Sequence, residues 1–343
     1  MKKTTLLAAF ALGTGVLLGQ SQRFVLIEGF TQASCPPCAS YNPGFHTLMT
    51  ANTTKVMGMH YQVSWPGTDP MNAQNKAEVA SRVSYYGIQG VPDEAMDGKT
   101  TSNASQSSIN TEYAVASPFN IKLDYWFNAA NDSVFISCDV TCTQATTMTT
   151  PKLRVAMIEK TITFTSAPGS NGEKKFYNVM RKMYASPSTA NNSGGTTLST
   201  AWTVGQTKSF LFKDKIPTYI YQKSEIATVA WIQDDANKNV KQSVYSATPN
   251  NVTGVAESVT YPSLNIFPNP SNGIFTAAFE TEATDNYIVK ITNALGQIVY
   301  EETLNNFSGS YSREINIASF GKGVYLLSIS GSKNEDVEKV LTY

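Results

Sequence analysis

The hydrophobic and polar positions near the start of the chain repeat with the periods of alternating strands and helices. Residues 24–30 and 55–61 form apolar runs that predict two strands. Residues 39–50 and 73–86 carry apolar positions at helical spacing, which predicts two helices. Strands that alternate with helices are typical of an α/β domain, which we place at about residues 23–115.

The middle of the chain changes to a period of two. Residues 120–127 and 133–142 alternate apolar and polar positions, and further short strands follow up to about residue 247. Alternation at this spacing predicts an antiparallel β-sandwich over residues 117–247. A linker punctuated by Pro, Asn and Gly follows at residues 248–263.

The last segment, residues 264–343, again has period-two strands, separated by Asn-Pro, Leu-Gly and Lys-Gly turns. This pattern predicts a small C-terminal β-sandwich. The sequence therefore predicts a multidomain fold, in which one α/β domain is followed by two all-β domains.

The N-terminus has the three parts of a secretory signal peptide, which we assign to residues 1–21. Lys2 and Lys3 form the charged region, residues 6–18 the apolar region, and residues 19–21 the small cleavage region. No later apolar run reaches the roughly 18 residues of a membrane-spanning helix, so we expect no transmembrane segment after cleavage. Export would place the mature protein where disulfides can form.

Composition narrows the classes of partner and cofactor. The formal net charge is +0 and 15% of residues are charged, which argues against a nucleic-acid partner or a basic membrane-binding patch. The two His residues, His46 and His60, are expected to be packed or surface residues rather than catalytic ones. We expect neither a cofactor nor a metal.

The candidate chemistry lies in the stretch Cys35-Pro36-Pro37-Cys38, between the first predicted strand and the first predicted helix. A Cys-x-x-Cys pair at such a junction is the arrangement of a redox site. The first sulfur must be partly ionised to attack a disulfide, and the second must lie one helical turn further to close the ring.

The two prolines limit how strongly the first cysteine is activated. With Cys35 as the N-cap, Pro36 is the first helical residue, where its missing N–H costs nothing. A helix N-terminus lowers the pKa of a thiol. Neither proline can donate an N–H to the Cys35 sulfur, so we expect less acidification than in a motif with one proline.

Two other interpretations of the pair are a structural disulfide and half of a metal site. A zinc site would need a second pair of ligands, and the chain offers only two His and two further Cys. Those two, Cys138 and Cys142, lie on one face of a predicted strand with their Cα atoms about 13 Å apart. This exceeds the limit of about 7 Å for a disulfide, so we interpret them as small core residues.

A resemblance supports the redox interpretation. Residues 87–92, Gly-Ile-Gln-Gly-Val-Pro, resemble the loop of thioredoxin-fold proteins that carries a cis-proline beside the Cys pair. The resemblance implies that Pro92 is cis and packs against Cys35 and Cys38. It also implies that the backbone of Val91 pairs with an incoming peptide.

The acidic residue of the first predicted strand departs from this family. The position of the family's buried carboxylate corresponds to Gly29, whereas the acidic residue here is Glu28. A displacement by one residue along a strand changes the face on which the side chain lies. Glu28 is therefore either a proton acceptor for Cys38 or only a strand residue near the surface.

Two further resemblances concern the rest of the chain. Most of residues 23–247 resembles the Bacteroidetes family of outer-membrane-protein-twenty-eight-related proteins, through residues 155–159, 176–181 and 229–234. This resemblance implies a surface or envelope protein with a thioredoxin-like domain followed by an immunoglobulin-like β-sandwich.

Residues 264–343 resemble the type A C-terminal sorting domain of the type IX secretion system, through residues 264–273, 289–299, 323–329 and 339–343. This resemblance implies the type IX secretion machinery as a partner and export across the outer membrane. Removal of the domain would follow, with attachment of the protein to the cell surface or its release.

Two functions follow from these observations. The first is thiol–disulfide exchange with protein thiols or disulfides, in which Cys35, Cys38, Pro92 and Glu28 are the catalytic candidates, and Val91 and Pro92 bind the substrate. The alternative is a non-enzymatic surface adhesin or receptor in which Cys35 and Cys38 form a structural disulfide, because a fold alone does not determine function.

Overall fold

The structure is a computed structural model that describes residues 20–101, 103–128, 130–250, 264–331 and 335–343. The described residues of Met1–Thr253 form one compact unit, and those of Gly254–Tyr343 form another. We call them the N-terminal unit and the C-terminal unit. The predicted signal peptide, apart from residues 20–21, and the predicted linker, apart from residues 248–250, lie outside the described residues.

The N-terminal unit begins with strands and helices in alternation. They are β1 (Val25–Thr31), α1 (Pro36–Thr50), β2 (Val56–Gln62), α2 (Pro70–Gln74), α3 (Lys76–Tyr86), β3 (Asp93–Met96), β4 (Lys99–Thr101) and α4 (Gln106–Tyr113). The helix predicted over residues 73–86 is interrupted at Asn75, whose backbone is not helical.

The remainder of the N-terminal unit consists of strands joined by turns and loops. They are β5 (Phe119–Phe127), β6 (Ser133–Cys142), β7 (Thr146–Thr147), β8 (Pro151–Thr163), β9 (Lys175–Tyr184), β10 (Thr196–Thr197), β11 (Ala201–Trp202), β12 (Thr207–Lys215), β13 (Ile226–Asp234) and β14 (Val240–Ser246).

One nine-stranded sheet joins the two parts of this unit. Its order is β14-β13-β8-β9-β2-β1-β3-β4, with β10 paired to β8. The connection between the two parts is the parallel pairing of β2 with β9, in which His60 lies opposite Val179. The strands that the sequence analysis assigned to an α/β domain and to a separate sandwich therefore belong to the same sheet.

The predicted fold class is wrong for this reason. Strands make up 50% of the described residues and helices 16%. In the described part of the chain, the predicted thioredoxin-like α/β domain and the predicted immunoglobulin-like sandwich are not two separate domains. The burial pattern gives the physical cause. Every residue of β1, β2 and β13 is buried, so both faces of these strands are covered. Strands buried on both faces favour one shared sheet over a sheet with a solvent-facing side.

A second sheet, of three strands in the order β12-β6-β5, packs on part of the large sheet. Their common core contains alternate residues of β5 and β6 together with residues of β8 and β13. Cys138 and Cys142 lie in this core as free, fully buried cysteines, which confirms their interpretation as core residues. Burial raises the pKa of the Cys138 thiol and so keeps it protonated.

The described part of the C-terminal unit consists of strands and one 3-10 turn at Ala318–Phe320, as the all-β prediction for this segment expects. The strands are β15 (Asn265–Phe267), β16 (Ile274–Asn293), β17 (Ile298–Asn316), β18 (Gly323–Ser330) and β19 (Glu335–Thr342). Strands β16 and β17 form a long hairpin, and the five strands enclose their own apolar core. None of the described helices in either unit is long and apolar enough to cross a membrane.

Candidate functional site

The Cys pair lies where β1 ends and α1 begins. Cys35 is the N-cap of α1 and Pro36 is its first residue, as the sequence predicts. Cys35 and Cys38 form a disulfide, and the backbone N–H of Cys38 donates a hydrogen bond of 3.1 Å to the Cys35 sulfur. Because neither proline has an N–H, the Cys38 N–H is the backbone donor that the start of α1 directs at this sulfur.

The loop before β3 brings Val91 to the same place. The Val91–Pro92 peptide bond is cis, as the resemblance implied. The Val91 carbonyl oxygen lies 3.5 Å from the Cys35 sulfur. Of the predicted site residues, Cys35, Cys38 and Val91 thus lie together, with Pro92 adjacent to Val91 in the chain.

Glu28 does not join this group. It shares a face of β1 with Leu26 and Phe30, whereas Val25 and Ile27, on the other face, pack in one cluster with Phe45 of α1. The Glu28 carboxylate is 1% exposed, so the interpretation as a near-surface residue is wrong.

The partners of Glu28 show what it does instead. It accepts hydrogen bonds from Arg82 at 2.8–3.0 Å and from the hydroxyls of Tyr61 and Tyr86. These contacts tie α3 to the central strands of the sheet. The structure therefore assigns Glu28 a structural position, away from the Cys pair.

The carboxylate that does lie on the α1 side of the sheet is Glu94, which the sequence analysis passed over. Glu94 follows Pro92 by two residues and lies opposite Gly29 on β1. It accepts hydrogen bonds from the Tyr41 hydroxyl of α1 and, at 2.9 Å, from the backbone N–H of Ala104. Burial raises its pKa. Only the polar character of residues 93–98 hinted at this carboxylate.

The Cys pair is covered. Cys35 is 2% exposed and Cys38 is fully buried. A loop of residues 169–173, between β8 and β9, lies against the segment that precedes α1. The side-chain amide of Asn171 donates hydrogen bonds of 3.2 Å to the carbonyls of Gln32 and Cys35, and its backbone N–H donates one to Ala33.

Further contacts anchor the same segment. The Ser34 hydroxyl donates to the Thr68 carbonyl at 2.8 Å and accepts from the Ser170 backbone N–H at 3.1 Å. Asp69, which caps α2, accepts a hydrogen bond of 2.9 Å from the Ala33 backbone N–H. Nothing in the sequence pattern indicated that residues 169–173 would lie against the segment next to the Cys pair.

His60 is a buried residue of β2, in agreement with its interpretation as a packed histidine. Its Nδ1 lies 2.9 Å from the Tyr177 carbonyl oxygen. Its ring lies across Gly29, where an added Cβ would be 2.6 Å from His60 Cδ2. The ring therefore occupies the space beside the position at which the thioredoxin resemblance implies a carboxylate.

Burial of His60 predicts a loss of stability in weak acid. Burial lowers its pKa, so below about pH 6.5 the unfolded chain binds a proton that the native state does not. The contribution of neutral His60 to stability is therefore fully present above about pH 6.5. It is lost as the pH falls below about 6.5, by up to about 1.4 kcal/mol per pH unit. Urea unfolding followed by tryptophan fluorescence between pH 5 and 8 measures this loss.

Two variants isolate the contribution of His60. His60→Gln should lose this part of the pH dependence, whereas His46→Gln, which changes a partly exposed ring, should keep most of it. Equal pH dependence in the wild type and His60→Gln would contradict the assignment.

The C-terminal segment and the fold of the chain are similar to those of known proteins. Residues 265–342 match the family model described as a secretion system C-terminal sorting domain. The solved structure titled HBP35 of Porphyromonas gingivalis matches with a TM-score of 0.51 at 14% identity, covering 95% of this chain and 100% of that chain. At this identity the match shows a shared fold and nothing further.

A second solved structure carries no argument about this chain. It is a domain of the outer membrane lipoprotein Omp28 from Porphyromonas gingivalis, with a TM-score of 0.26 at 11% identity, and covers 39% of this chain and 89% of that chain. No curated protein matches the chain. Membership of the outer-membrane-protein-twenty-eight-related family therefore remains a prediction.

The sorting domain determines where the protein acts. The chain carries the C-terminal sorting domain of the type IX secretion system, which implies interaction with that machinery. The protein is accordingly secreted across the outer membrane to the cell surface or the medium, as predicted.

Proposed function

We propose that this exported protein carries out thiol–disulfide exchange through Cys35 and Cys38, with protein thiols or disulfides as substrates. The observation that supports this function best is the position of the Cys35 sulfur at the start of α1. There it accepts a hydrogen bond from the Cys38 N–H. A helix N-terminus stabilises an anion, and a cysteine that leaves as a thiolate exchanges faster.

The oxidised pair can act as a two-electron oxidant. A substrate thiolate attacks the Cys35 sulfur, the Cys35–Cys38 bond breaks, and its electron pair remains on the Cys38 sulfur, which takes up a proton. A second substrate thiolate then attacks the substrate sulfur of the mixed disulfide and releases the Cys35 thiolate. The substrate gains a disulfide and the Cys pair becomes a dithiol.

The backbone beside the Cys pair would position the substrate. The Val91 carbonyl oxygen, 3.5 Å from the Cys35 sulfur, is placed to accept an N–H from a peptide bound next to the disulfide. In this proposal Val91 binds the substrate and Pro92 positions Val91.

A specific observation favours the alternative function. Both cysteines are almost completely buried, which is typical of a structural disulfide in a surface adhesin or receptor. Under our proposal Cys35 must become accessible to a protein substrate, and we expect the 169–173 loop, which hydrogen-bonds the backbone of residues 32–35, to be the part that moves. The two functions therefore differ in whether the pair can become accessible.

The reduction potential of the Cys pair separates the two functions. Equilibration of the full-length protein with glutathione buffers, followed by alkylation and mass analysis, gives this potential. A value between about −270 and −120 mV supports exchange, and a value below about −300 mV supports a structural disulfide.

Matched cysteine variants test the direction of attack. Cys38→Ser should accumulate a mixed disulfide with oxidised glutathione on Cys35, because no resolving thiol is present. Cys35→Ser should accumulate far less, since Cys38 is fully buried. Equal trapping by both variants would contradict the assigned roles.

The covering loop leads to a prediction about accessibility. Asn171→Ala removes the side-chain hydrogen bonds to the carbonyls of Gln32 and Cys35. At about 1 kcal/mol each, their loss should raise the alkylation rate of reduced Cys35 by about tenfold or more. Peptide mass analysis after a timed iodoacetamide pulse measures this rate.

Internal and matched controls accompany this experiment. Cys138 and Cys142, both buried, should remain unmodified in the native protein. Ser170→Ala should change the rate little, because it keeps the backbone N–H bond to the Ser34 hydroxyl and loses only a long side-chain hydrogen bond, of 3.5 Å, to the Ser34 carbonyl. An unchanged rate in Asn171→Ala would show that the loop does not limit access.

A further inference from the structure

A cavity lies beside α1, next to His60 and the end of the 169–173 loop. It is bounded by α1, the ends of β1 and β2, and the start of β9, and its volume is about 350 Å³. This volume falls in the range of small-molecule sites in proteins. The residues that matter here are His46, His60, Gln62, Glu173 and Tyr177, all of which line the cavity.

Gln62, which lines this cavity, carries an unpartnered hydrogen-bond acceptor. Gln62 is 2% exposed, and its side-chain oxygen has no hydrogen-bond partner among the described residues. Gln62 lies two residues after His60 on β2, so both side chains lie on the same face of the sheet. A buried acceptor without a donor is costly, and a bound donor would remove that cost.

His60 provides a second acceptor. Its Nδ1 contacts the Tyr177 carbonyl, which can only accept, so Nδ1 carries the ring proton. Burial favours the neutral ring. In a neutral ring with a protonated Nδ1, Nε2 keeps a free lone pair that can accept a hydrogen bond.

Glu173 adds a carboxylate without a matching cation. Its two oxygens accept hydrogen bonds from the side-chain amides of Asn42, at 2.8 Å, and Asn171, at 2.6 Å. In the described part of the chain, no Lys or Arg nitrogen lies within 4.0 Å of these oxygens. Lys174 and Lys175 line the cavity as well, but neither forms an ion pair with Glu173. Carboxylate oxygens retain further lone pairs after one hydrogen bond each.

An aromatic wall completes the site. The rings of His46 and Tyr177 are stacked, with centroids 3.5 Å apart and an angle of 7° between their planes. Aromatic faces attract cations that bind beside them. The cavity thus combines two neutral acceptors, one carboxylate and an aromatic surface.

We propose that this cavity binds a small organic cation with several N–H donors, of the guanidinium or primary ammonium class. Its N–H groups donate to the Gln62 side-chain oxygen, His60 Nε2 and Glu173, and its charge is balanced by the Glu173 carboxylate. The site needs neither cysteine, although Glu173 belongs to the 169–173 loop, which also hydrogen-bonds the Cys35 carbonyl.

Binding of agmatine, which carries one guanidinium and one primary ammonium group, tests the proposal. Isothermal titration of the full-length protein at low salt should show one saturable site. Glu173→Gln should weaken binding at least tenfold, whereas Glu225→Gln, a change at a carboxylate outside the cavity, should leave it unchanged. Propionate, a small anion, should not bind.

A spectroscopic measurement reports on the cavity itself. The chain has two His residues, so their ¹⁵N ring signals can be assigned with His46→Gln. Agmatine should shift the Nε2 signal of His60, and this shift should be lost in Glu173→Gln.

Three outcomes would overturn the proposal. They are binding of propionate in place of agmatine, equal affinity of agmatine for the wild type and Glu173→Gln, and no binding of either compound. The last would show that water alone occupies the cavity. Tryptophan-monitored unfolding of Glu173→Gln distinguishes loss of the site from loss of the fold.

Discussion

Replacing Arg82 with methionine is expected to lower the free energy of unfolding of the N-terminal unit by about 3–5 kcal/mol. The Arg82 guanidinium is the cation that pairs with Glu28, and each residue is 1% exposed. Without it, the Glu28 carboxylate remains buried with only the hydroxyls of Tyr61 and Tyr86 as donors. An uncompensated buried charge costs far more than the pair contributed.

Tryptophan fluorescence is the appropriate measurement for this variant. All four Trp residues of the chain, Trp65, Trp126, Trp202 and Trp231, lie in the N-terminal unit, so denaturant unfolding of the full-length protein reports on that unit. The double variant Glu28→Gln/Arg82→Met removes both charges and should recover most of the loss. If the double variant were no more stable than Arg82→Met, the uncompensated charge could not be the cause.

Replacing Gly98 with alanine should destabilise the same unit by about 2–5 kcal/mol, through two effects that add. Gly98 has φ of +86°, a conformation that disfavours a side chain. In addition, its Cβ would lie 1.7 Å from the carbonyl oxygen of Lys238. That atom belongs to the backbone between β13 and β14, so it cannot move aside as a flexible side chain could.

The contact at Gly98 joins two parts of the chain that the sequence analysis assigned to different domains. Next to it, the Val240 N–H donates to the Asp97 carbonyl at 3.0 Å, and the Arg23 guanidinium donates to the Val240 carbonyl at 3.0 Å. The alanine would therefore push the turn after β3 away from the turn before β14. A loss of stability in the whole unit, rather than local fraying, is the expected result.

Gly172 supplies a matched control. Its φ of +87° is nearly the same, but an added Cβ would meet no atom within 4 Å. Gly172→Ala should therefore cost only the conformational part, about 1 kcal/mol. Equal losses for Gly98→Ala and Gly172→Ala, measured by urea unfolding with tryptophan detection, would exclude the contact with Lys238 as a cause.

The features that the sequence determined are local ones. A cysteine followed by proline after an apolar strand predicts an N-cap and a helix start, and both occur at Cys35 and Pro36. The C-terminal strands, separated by turn residues, predict an all-β segment, and the sorting-domain match covers that segment. Each of these features depends on interactions within a few residues or on one strand period.

The features that the sequence did not determine arise from contacts between distant segments. The pairing of His60 with Val179 merges two predicted domains into one sheet, and residues 169–173 hydrogen-bond the backbone next to a disulfide more than 130 positions earlier. Glu28 finds its partner Arg82 on α3, 54 positions away. Local patterning shows that β1 and β2 are apolar, but not which strands and helices cover their two faces.

Local sequence patterns were thus sufficient to predict the export of this protein, the junction at which its Cys pair lies and the existence of its strands. Contacts between distant segments established which strands share a sheet, that the Cys pair is buried, and that Glu94 rather than Glu28 lies on the α1 side. The physical reason is that periodicity and capping act within one element. Burial and charge pairing depend on which elements pack together.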